Sequence, residues 1–475
     1  MEFKTIVGLE IHSELKTKSK IFCSCTTEFG GDVNTQCCPV CLGLPGSLPV
    51  VNKKVLDYAI KSGLAFNCDI ASYSKMDRKN YFYPDLVKAY QISQYDLPLC
   101  SNGEVIIEKE DGSTKEIRLI RIHIEEDTGK SLHGLEGVSL LDYNRSGVGL
   151  IEIVTRPDIE TPEEAELFLD QLKSILEYLE VSDVKMEQGS LRCDVNINVV
   201  STDGSVKSNI SEIKNLNSFK AVQKSIDYEA HRHRELLKAG KNSEKDTRRW
   251  DSEENKTVFM RSKQHVEDYR YFPEPDIMGF EISDEWIQEM KDTLPELPKA
   301  KKERFIKAFG IPAYDAEVLV SDRKLARYFE NLCENFNDPK LISNWIMTEM
   351  LRRMNLEEVT LDGLKFEEKD LIVLFEQMAE NKISNNAGKK VFREMFETGK
   401  KPLDLIESMG LKQISDDDFT EKLVREVLEE NPDAIEDIKN GKDRAIGYLV
   451  GQVMKKSKGK ANPQMVSELI KENCL

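Results

Sequence analysis

From residue 1 to about 290 the apolar positions recur mostly every second residue, in short runs; beyond about 298 they recur every third or fourth. The alternating runs predict strands over Thr5–Leu15, Glu104–Ile107, Ile117–Glu125, Gly149–Thr155, Ser190–Val199 and Ile210–Asn215, with turn residues between several of them. Two helices interrupt them. Glu163–Leu179 carries Ala165, Phe168, Leu169, Leu172, Ile175 and Leu176 at helical spacing, behind Thr161 as N-cap and Pro162 in the first turn. Phe219–Ala239 reads as a second helix, ended by Gly240. Strand runs with occasional helices predict an α+β fold built on a large mixed β-sheet, rather than regular βαβ alternation.

Leu294-Pro295-Glu296-Leu297-Pro298 predicts a stiff linker. Helical candidates follow at Lys299–Ala308, Tyr314–Val320, Asp322–Glu334, Pro339–Met354, Glu367–Asn381, Ser384–Thr398 and Leu403–Met409. A second break falls near Lys400-Lys401-Pro402 or Gly410, and a small bundle is expected from Asp416–Asn431, Pro432–Asn440, Arg444–Ser457 and Pro463–Glu472. The expected domains are therefore residues 1–292, a helical connector over 293–405 and a helical tail over 411–475. There is no internal repeat.

A chain of 475 residues accommodates about three domains. With 40% hydrophobic and 32% charged residues it reads as an ordinary globular chain. No apolar run approaches the roughly 18 residues that a membrane span needs, and Met-Glu-Phe-Lys at the start does not resemble a secretory leader. A cytoplasmic location without membrane contact is expected. The net charge of −18 alone argues against a polyanionic partner. That sum hides segregation: Asp404–Asp437 holds three bases against twelve acids, whereas Ile438–Leu475 holds eight bases against three. The basic end is either a polyanion-binding surface or a solvated helix face.

Five of the ten cysteines crowd into residues 23–41. Cys23-Ser-Cys25 and Cys38-Pro-Val-Cys41 are two pairs separated by a short loop, and thiolates suit tetrahedral zinc at about 2.3 Å. The first expectation is a structural zinc site of Cys23, Cys25, Cys38 and Cys41. The alternatives are small buried hydrophobes or redox chemistry, which lacks a thioredoxin-like context here. Four ligands close a site, so Cys37 is expected to be a spectator.

Several predicted strands carry acids or amides among apolar neighbours. Glu10 and His12 are two apart and share a face, as do His123, Glu125 and Asp127. Glu152 lies between isoleucines; Asp194, Asn196 and Asn198 share a face, and Glu212 and Lys214 another. One such residue is usually the wet side of a half-buried strand. Five strands of them suggest converging carboxylates, which are costly to bury without a positive partner. Mg²⁺, arriving with nucleotide phosphates, is the natural counter-ion for hard oxygens. There is no Walker loop, and Gly147-Val148-Gly149 lacks the third glycine of a dinucleotide fingerprint. No Gly-x-Ser-x-Gly elbow or Ser-Ser-Lys amidase relay is present. Two runs, Arg78–Asp85 and Asp268–Asp276, interleave cations and aromatics, which suits either a loop anchored by its rings or stacking on a terminal base.

Taken together, these residues resemble the family that supplies the B subunit of the glutamyl-tRNA(Gln)/aspartyl-tRNA(Asn) amidotransferase. The matching blocks are Gly8-Leu9-Glu10-Ile11-His12, Asp77 to Asp85, Tyr90 to Gln94, His123 to Lys130, Leu150 to Val154, Glu187 to Asp194, Lys214 to Ser218, Asp268 to Asp276, Gly447 to Gln452 and Lys458 to Pro463. Val87 and Ala89 stand where the family often has Pro and Gly, and Val148-Gly149 where it often has Thr-Pro; no ionisable group is lost. The cysteine quartet occurs in only part of the family.

The resemblance implies a cradle that holds the aminoacylated 3′ end, then the connector, then a tail that meets the tRNA body. It implies ATP-dependent activation of the side-chain carboxylate of Glu-tRNA(Gln) or Asp-tRNA(Asn). It also implies amidation by ammonia from a glutaminase partner, the A subunit, with a small third partner, the C subunit, clasping the pair. Under it, His12, Glu125 and Glu152, with Glu10 close by, would be catalytic residues and Mg²⁺ ligands. Asp194, Glu212, Lys214, Arg192 and Asn196 would contact nucleotide or a second metal. Lys79 and Lys88 would lie along the ammonia path. Lys442, Arg444, Lys455, Lys456, Lys458 and Lys460 would meet tRNA phosphates. One rival is the archaeal-type relative, which would need an extra domain for which residues 295–410 leave no room. The other is a tRNA-binding scaffold without catalysis.

Overall fold

The computed structural model describes residues 2–135, 138–262, 268–412, 417–439, 444–457, 461 and 463–474. It divides into two compact units, Met1–Pro298 and Lys299–Leu475.

In the first unit the strands are, in chain order, β1 (Phe3–Glu14), β2 (Asp69–Ile70), β3 (Tyr73–Ser74), β4 (Asp77–Asn80), β5 (Tyr90–Ser93), β6 (Cys100–Ser101), β7 (Glu104–Glu108), β8 (Thr114–Glu126), β9 (Lys130–Leu135), β10 (Val138–Asp142), β11 (Gly149–Thr155), β12 (Leu191–Ser201), β13 (Ser211–Leu216), β14 (Asp246–Asp251), β15 (Lys256–Ser262), β16 (Phe272–Pro273) and β17 (Phe280–Glu281). The helices are α1 (Lys53–Ala65), α2 (Pro162–Tyr178), α3 (Phe219–Lys238) and α4 (Asp284–Asp292). Ten strands form one mixed sheet in the order β15-β14-β13-β12-β1-β11-β8-β6-β2, with β7 paired to β8. Its one parallel pair, β13 and β14, is joined by α3, because parallel neighbours need a crossover. Helix α2 likewise bridges β11 to β12 past the intervening β1.

Alternation gives this sheet two unlike faces. Val7, Leu9 and Ile11 of β1 lie level with Ile197, Val195 and Cys193 of β12, and Ile11 with Ile153 and Ile122. All are buried in one core with Phe168, Leu169 and Leu172 of α2, Val222 and Ile226 of α3, and Val55 and Ile60 of α1. The other face carries the polar residues. A smaller sheet, β16-β4-β5, is tied to the main one where Gln91 Nε2 donates to Glu126 O at 2.8 Å and Ile92 N to Glu126 Oε1 at 2.9 Å.

The expected strands and helices of this unit are present, and Thr161 caps its helix as expected, its Oγ1 accepting from Glu164 N at 3.2 Å. Ser218, not singled out in the sequence, does the same for α3, its Oγ accepting from Ala221 N at 3.1 Å. Helix α1 was not expected. Its Ser62-Gly63 reads as a turn, yet both residues are buried, and a Cβ at Gly63 would lie 2.5 Å from Cys100 Sγ. The small side chain is a packing requirement there. The pairs β14–β15 and β9–β10 were also missed, since their strands expose apolar residues such as Phe259, Met260, Leu132 and Leu140 instead of alternating cleanly.

In the second unit the helices are α5 (Pro298–Arg304), α6 (Ala313–Val320), α7 (Arg323–Asn335), α8 (Pro339–Trp345), α9 (Leu351–Glu357), α10 (Glu368–Ala379), α11 (Asn385–Thr398), α12 (Pro402–Ser408), α13 (Asp417–Glu430), α14 (Pro432–Lys439), α15 (Arg444–Lys456) and α16 (Pro463–Cys474). The helix expected over Lys299–Ala308 finishes in a π turn at Phe305–Phe309 and stops at Gly310, whose φ of 63° favours glycine. The one expected over Pro339–Met354 passes through a π turn at Ile346–Met350. Helices α13–α16 share their own core of Val424, Val427, Leu449, Val453, Val466 and Ile470. Among the described residues no helix is long and apolar enough to cross a membrane.

Candidate active site

The polar face of the main sheet collects the acids. On β1, Glu10, His12 and Glu14 point away from the core. His12 lies opposite Glu152 of β11 and Arg192 of β12, and Glu152 lies opposite His123 of β8. His12 Nε2 is 3.2 Å from Glu125 Oε1 and 3.4 Å from Glu152 Oε2. His123 Nε2 is 3.2 Å from Glu152 Oε2, and its Nδ1 accepts from Arg121 Nε at 3.3 Å. One ligand atom from each of His12, Glu125 and Glu152 lies within 4.8 Å of the others.

Burial opposes the charge on His12, but its hydrogen bonds to the carboxylates of Glu125 and Glu152 outweigh it and raise its pKa to about 10. Burial likewise pushes Glu125 and Glu152 up. The contact with His12 holds Glu125 below its ordinary value, and the charge of His123 with the bond to His12 holds Glu152 well below. A metal held here would need His12 neutral, because a histidine ligand must be unprotonated.

A second group lies one step along β1. Glu10, Asp194 and Glu212 each offer an oxygen within 4.8 Å of the others. Glu10 thus stands with Asp194 and Glu212 instead of in the His12 group: same-face positions on a strand are roughly 6.8 Å apart, and Glu10 pairs across to Asp194. Asn196 Nδ2 donates to Glu10 Oε1 at 2.9 Å, and Thr247 Oγ1 to Glu212 Oε2 at 2.9 Å. Lys214 Nζ reaches Asp194 Oδ2 at 2.5 Å and Glu212 Oε1 at 3.2 Å. Burial, with the charges of Glu152 and Glu212, raises the pKa of Glu10 despite Lys214.

Arg192 has another partner at hand. Its Nη2 donates to Asp127 Oδ2 at 2.6 Å, and Arg145 Nε stands 3.4 Å from the same oxygen. Lys88 is bound to both oxygens of Glu126, at 2.5 and 2.6 Å, beside a cavity of about 180 Å³ lined by Phe22, Cys41, Gly43 and Glu126. Lys79 is on β4, opposite Gln91, with its ammonium 5.0 Å from the ring centre of Tyr269 and 5.6 Å from that of Tyr81. The two aromatic–basic runs therefore meet. Phe272 pairs with Arg78, and Asn80 N donates to Tyr269 O at 2.9 Å.

The cysteine quartet assembles. The sulfurs of Cys23, Cys25, Cys38 and Cys41 lie within 4.8 Å of one another, a group that could hold a metal. A bridge between Ser19 and Thr26 closes the first pair into a turn, and Leu42 N donates to Cys38 O at 3.0 Å in the second. Lys20, fully buried, places Nζ 3.6 Å from Cys41 Sγ and 3.4 Å from Tyr143 O. The hydrogen bond with Cys23 holds the Cys41 thiol well below its ordinary value and pushes Cys23 up, and the Lys20 charge also favours the Cys41 thiolate. Cys37 is outside the group, its Sγ 3.8 Å from Asn144 Oδ1. Of the tail cations, Arg444 and Lys455 are exposed, and Lys456 is held 2.6 Å from Glu430 Oε1. Lys442, Lys458 and Lys460 lie outside the described residues.

Sequence reading did not assign a role to His123, Asp127, Arg145, Tyr269 or Thr247. The two-residue spacing of His123 and Asp127 from Glu125 was a usable signal; for Arg145 and Thr247 no local signal existed.

The chain thus combines an α+β unit, whose polar sheet face gathers two acidic groups that could hold metal ions, with a second unit that is helical. Residues 5–288 match the family model described as the GatB/GatE catalytic domain, and residues 327–474 the one described as the GatB domain. The chain belongs to the GatB/GatE family. It is similar to the B subunit of the aspartyl/glutamyl-tRNA(Asn/Gln) amidotransferase of Caldanaerobacter subterraneus subsp. tengcongensis, 54% identical over 99% of both chains. It is also similar to the proteins of the same name from Thermoanaerobacter pseudethanolicus, 53% identical over 99% of both chains, and Clostridium botulinum, 54% identical over 99% of both.

Proposed function

We infer that the chain is the B subunit of a tRNA-dependent amidotransferase. It would convert Glu-tRNA(Gln) or Asp-tRNA(Asn) to the amide form in the cytoplasm. Ammonia would come from a glutaminase partner, and a small third partner would bind the pair. The observation that carries this reading is the convergence of His12, Glu125 and Glu152, with Glu10, Asp194 and Glu212 beside them, on one sheet face. It favours catalysis over a scaffold, which has no use for two costly acidic groups.

A side-chain carboxylate is a poor electrophile, so activation precedes amidation. An oxygen of the substrate carboxylate attacks the γ-phosphorus of ATP, the bond to the β–γ bridging oxygen breaks, and ADP leaves. Ammonia then attacks the acyl carbon, the C–O bond to phosphate breaks, phosphate leaves, and the nitrogen loses a proton. Glu125 would accept that proton. Arg192, across from His12, would bind a phosphate oxygen. The donor sets fit divalent ions: three carboxylates at Glu10, Asp194 and Glu212 suit Mg²⁺, and an imidazole with two carboxylates suits Mg²⁺ or a softer ion. Metal bound there would neutralise phosphate charge during transfer. Lys88 and the cavity beside it would belong to the ammonia path.

The test is reconstitution of the heterotrimer with the glutaminase and the small third protein, then assay with misacylated tRNA, ATP and glutamine, scored as amide on the tRNA. No ATP-dependent amide with either substrate would leave the scaffold reading.

The quartet would hold a structural zinc, with Lys20 offsetting thiolate charge. Metal analysis is expected to give about one zinc per chain, and Cys41→Ser to lose it with a lower melting temperature; a stable, metal-free wild type would reject the site. In the tail, Arg444→Glu with Lys455→Glu is expected to weaken tRNA binding roughly tenfold and to flatten the dependence of log K on log salt. Lys456, already paired with Glu430, would contribute less. Unchanged affinity would remove the tail from tRNA binding.

A further inference from the structure

The substrates of the proposed reaction bring negative charge to a floor already lined with acids. The cations beside that floor are mostly spoken for. Lys214 is held by Asp194 and Glu212, Arg192 and Arg145 by Asp127, and Lys88 by Glu126. Lys79 is the exception. Among the described residues its ammonium forms no ion pair and no hydrogen bond; its close neighbours are the ring faces of Tyr269 and Tyr81.

Three contacts fix where this ammonium stands. Lys79 lies opposite Gln91 on the small sheet. Gln91 Nε2 donates to the carbonyl of Glu126, the residue after Glu125. Tyr81 Oη donates to Gln91 Oε1 at 3.2 Å, so the cage and its anchor are one unit. Tyr271 packs edge-on against Tyr269 at 6.2 Å and stacks on Tyr95 at 4.3 Å, which holds the far ring in place. Burial works against the charge on Lys79, while Glu125, Tyr271 and Glu152 favour it and prevail. The field of the first acidic group thus reaches Lys79, although no carboxylate touches it.

An ammonium stripped of much of its water and given only ring faces is under-compensated until an anion arrives. Two rings leave part of its surface open and restrict its motion, which suits a receptor more than a strut. We propose that Lys79 is a catalytic residue: it binds the side-chain carboxylate of the misattached amino acid and then the acyl phosphate formed from it. Tyr81 and Tyr269 are positioning residues that hold its ammonium. Repulsion between the incoming carboxylate and Glu125 and Glu152 is what such a receptor must offset.

This rests on the amidotransferase reading, and it differs from a role for Lys79 as lining of the ammonia path. The two separate cleanly in the reconstituted heterotrimer. Three rates are measured with misacylated tRNA: amidation with glutamine, amidation with ammonium chloride, and tRNA-dependent ADP formation with no nitrogen source. Lys79→Met is expected to lower all three about 100-fold, with binding of deacylated tRNA unchanged. Lys79→Arg is expected to recover part of each, and Tyr269→Leu to raise KM for the misacylated tRNA more than it lowers kcat. Loss with glutamine alone, or three unchanged rates, would overturn the proposal. Lys79→Gln, neutral and of similar length, makes the same test if Met disturbs folding. A wild-type complex that makes no amide would instead overturn the amidotransferase reading, and the receptor with it.

Discussion

Glu125→Gln is expected to cut ATP-dependent amidation about a thousandfold while leaving tRNA affinity intact. The substitution keeps shape and removes charge at a residue only 2% exposed. Three losses coincide. The His12 Nε2 contact at 3.2 Å loses its anion and, on the proposed mechanism, an acidic metal ligand becomes a neutral amide and the proton shed by attacking ammonia loses its acceptor. General-base removal alone costs roughly 10²–10⁴-fold. Because Glu125 helps hold the His12 proton, the pKa of His12 is also expected to fall. The measurement is kcat with ammonium chloride as nitrogen donor, which bypasses the glutaminase, alongside binding of deacylated tRNA. Wild-type turnover would exclude Glu125 from the mechanism. Loss of tRNA binding in parallel would point to misfolding.

The largest stability effect is expected away from the site, at Glu229. This carboxylate is fully buried on α3. It accepts from Arg232 Nε at 2.9 Å and Thr257 Oγ1 at 2.7 Å, and lies 3.1 Å from His233 Nε2 and 3.7 Å from Arg248 Nε. His233 meets Ser208 at 2.9 Å and Ser211 at 3.0 Å, and Ser211 Oγ donates to Asp246 Oδ1 at 2.5 Å. The network ties α3 to β13, β14 and β15. Glu229→Ala takes from Arg232 its buried carboxylate partner, while Arg248 keeps its 2.9 Å pair with Asp246, so the loss is expected near the low end of breaking a buried pair, about 3 kcal/mol. Burial raises the pKa of Glu229, but His233, Arg232 and Thr257 hold it well below the ordinary carboxylate range. Its contribution is therefore present above the unfolded carboxylate pKa and is lost as the pH falls below it. Calorimetric melts across pH 3 to 7 check this. The wild type is expected to lose stability towards acid, and Glu229→Gln to start lower with a flatter acid limb. Equal melting temperatures for wild type and Ala would refute the network's role. Ser211 and Asp246 adjoin Glu212 and Thr247, so loosening the network is also expected to disturb the second acidic group.

Much of this molecule was legible along the chain because the underlying rules are local. A pleated strand turns successive side chains to opposite sides, so Glu10 with His12, and His123 with Glu125, could be assigned a common face from spacing alone. Helices with a clear cap and stripe, such as α2 behind Thr161-Pro162, were equally readable. The cysteine quartet was readable because tight turns bring each pair together with little help from the rest of the fold. Where local and packing demands conflict, reading failed. Ser62-Gly63 looks like a turn and is the buried face of α1, and the π turns at Phe305–Phe309 and Ile346–Met350 left no mark on the pattern.

What spacing alone determined, then, was which residues look away from the core. Which of them meet was decided by strand order. Crossing helices put β12 and β11 on either side of β1, and register set His12 level with Glu152 and Arg192, and Glu10 level with Asp194. Two residues along one strand therefore joined different acidic groups. The same holds for Lys79, placed by a second sheet hung from Glu126, and for the pairing of Arg192 with Asp127. The pleat is a property of the backbone at each residue; the neighbours across a sheet depend on how remote segments pack, and no short stretch of sequence contains that information.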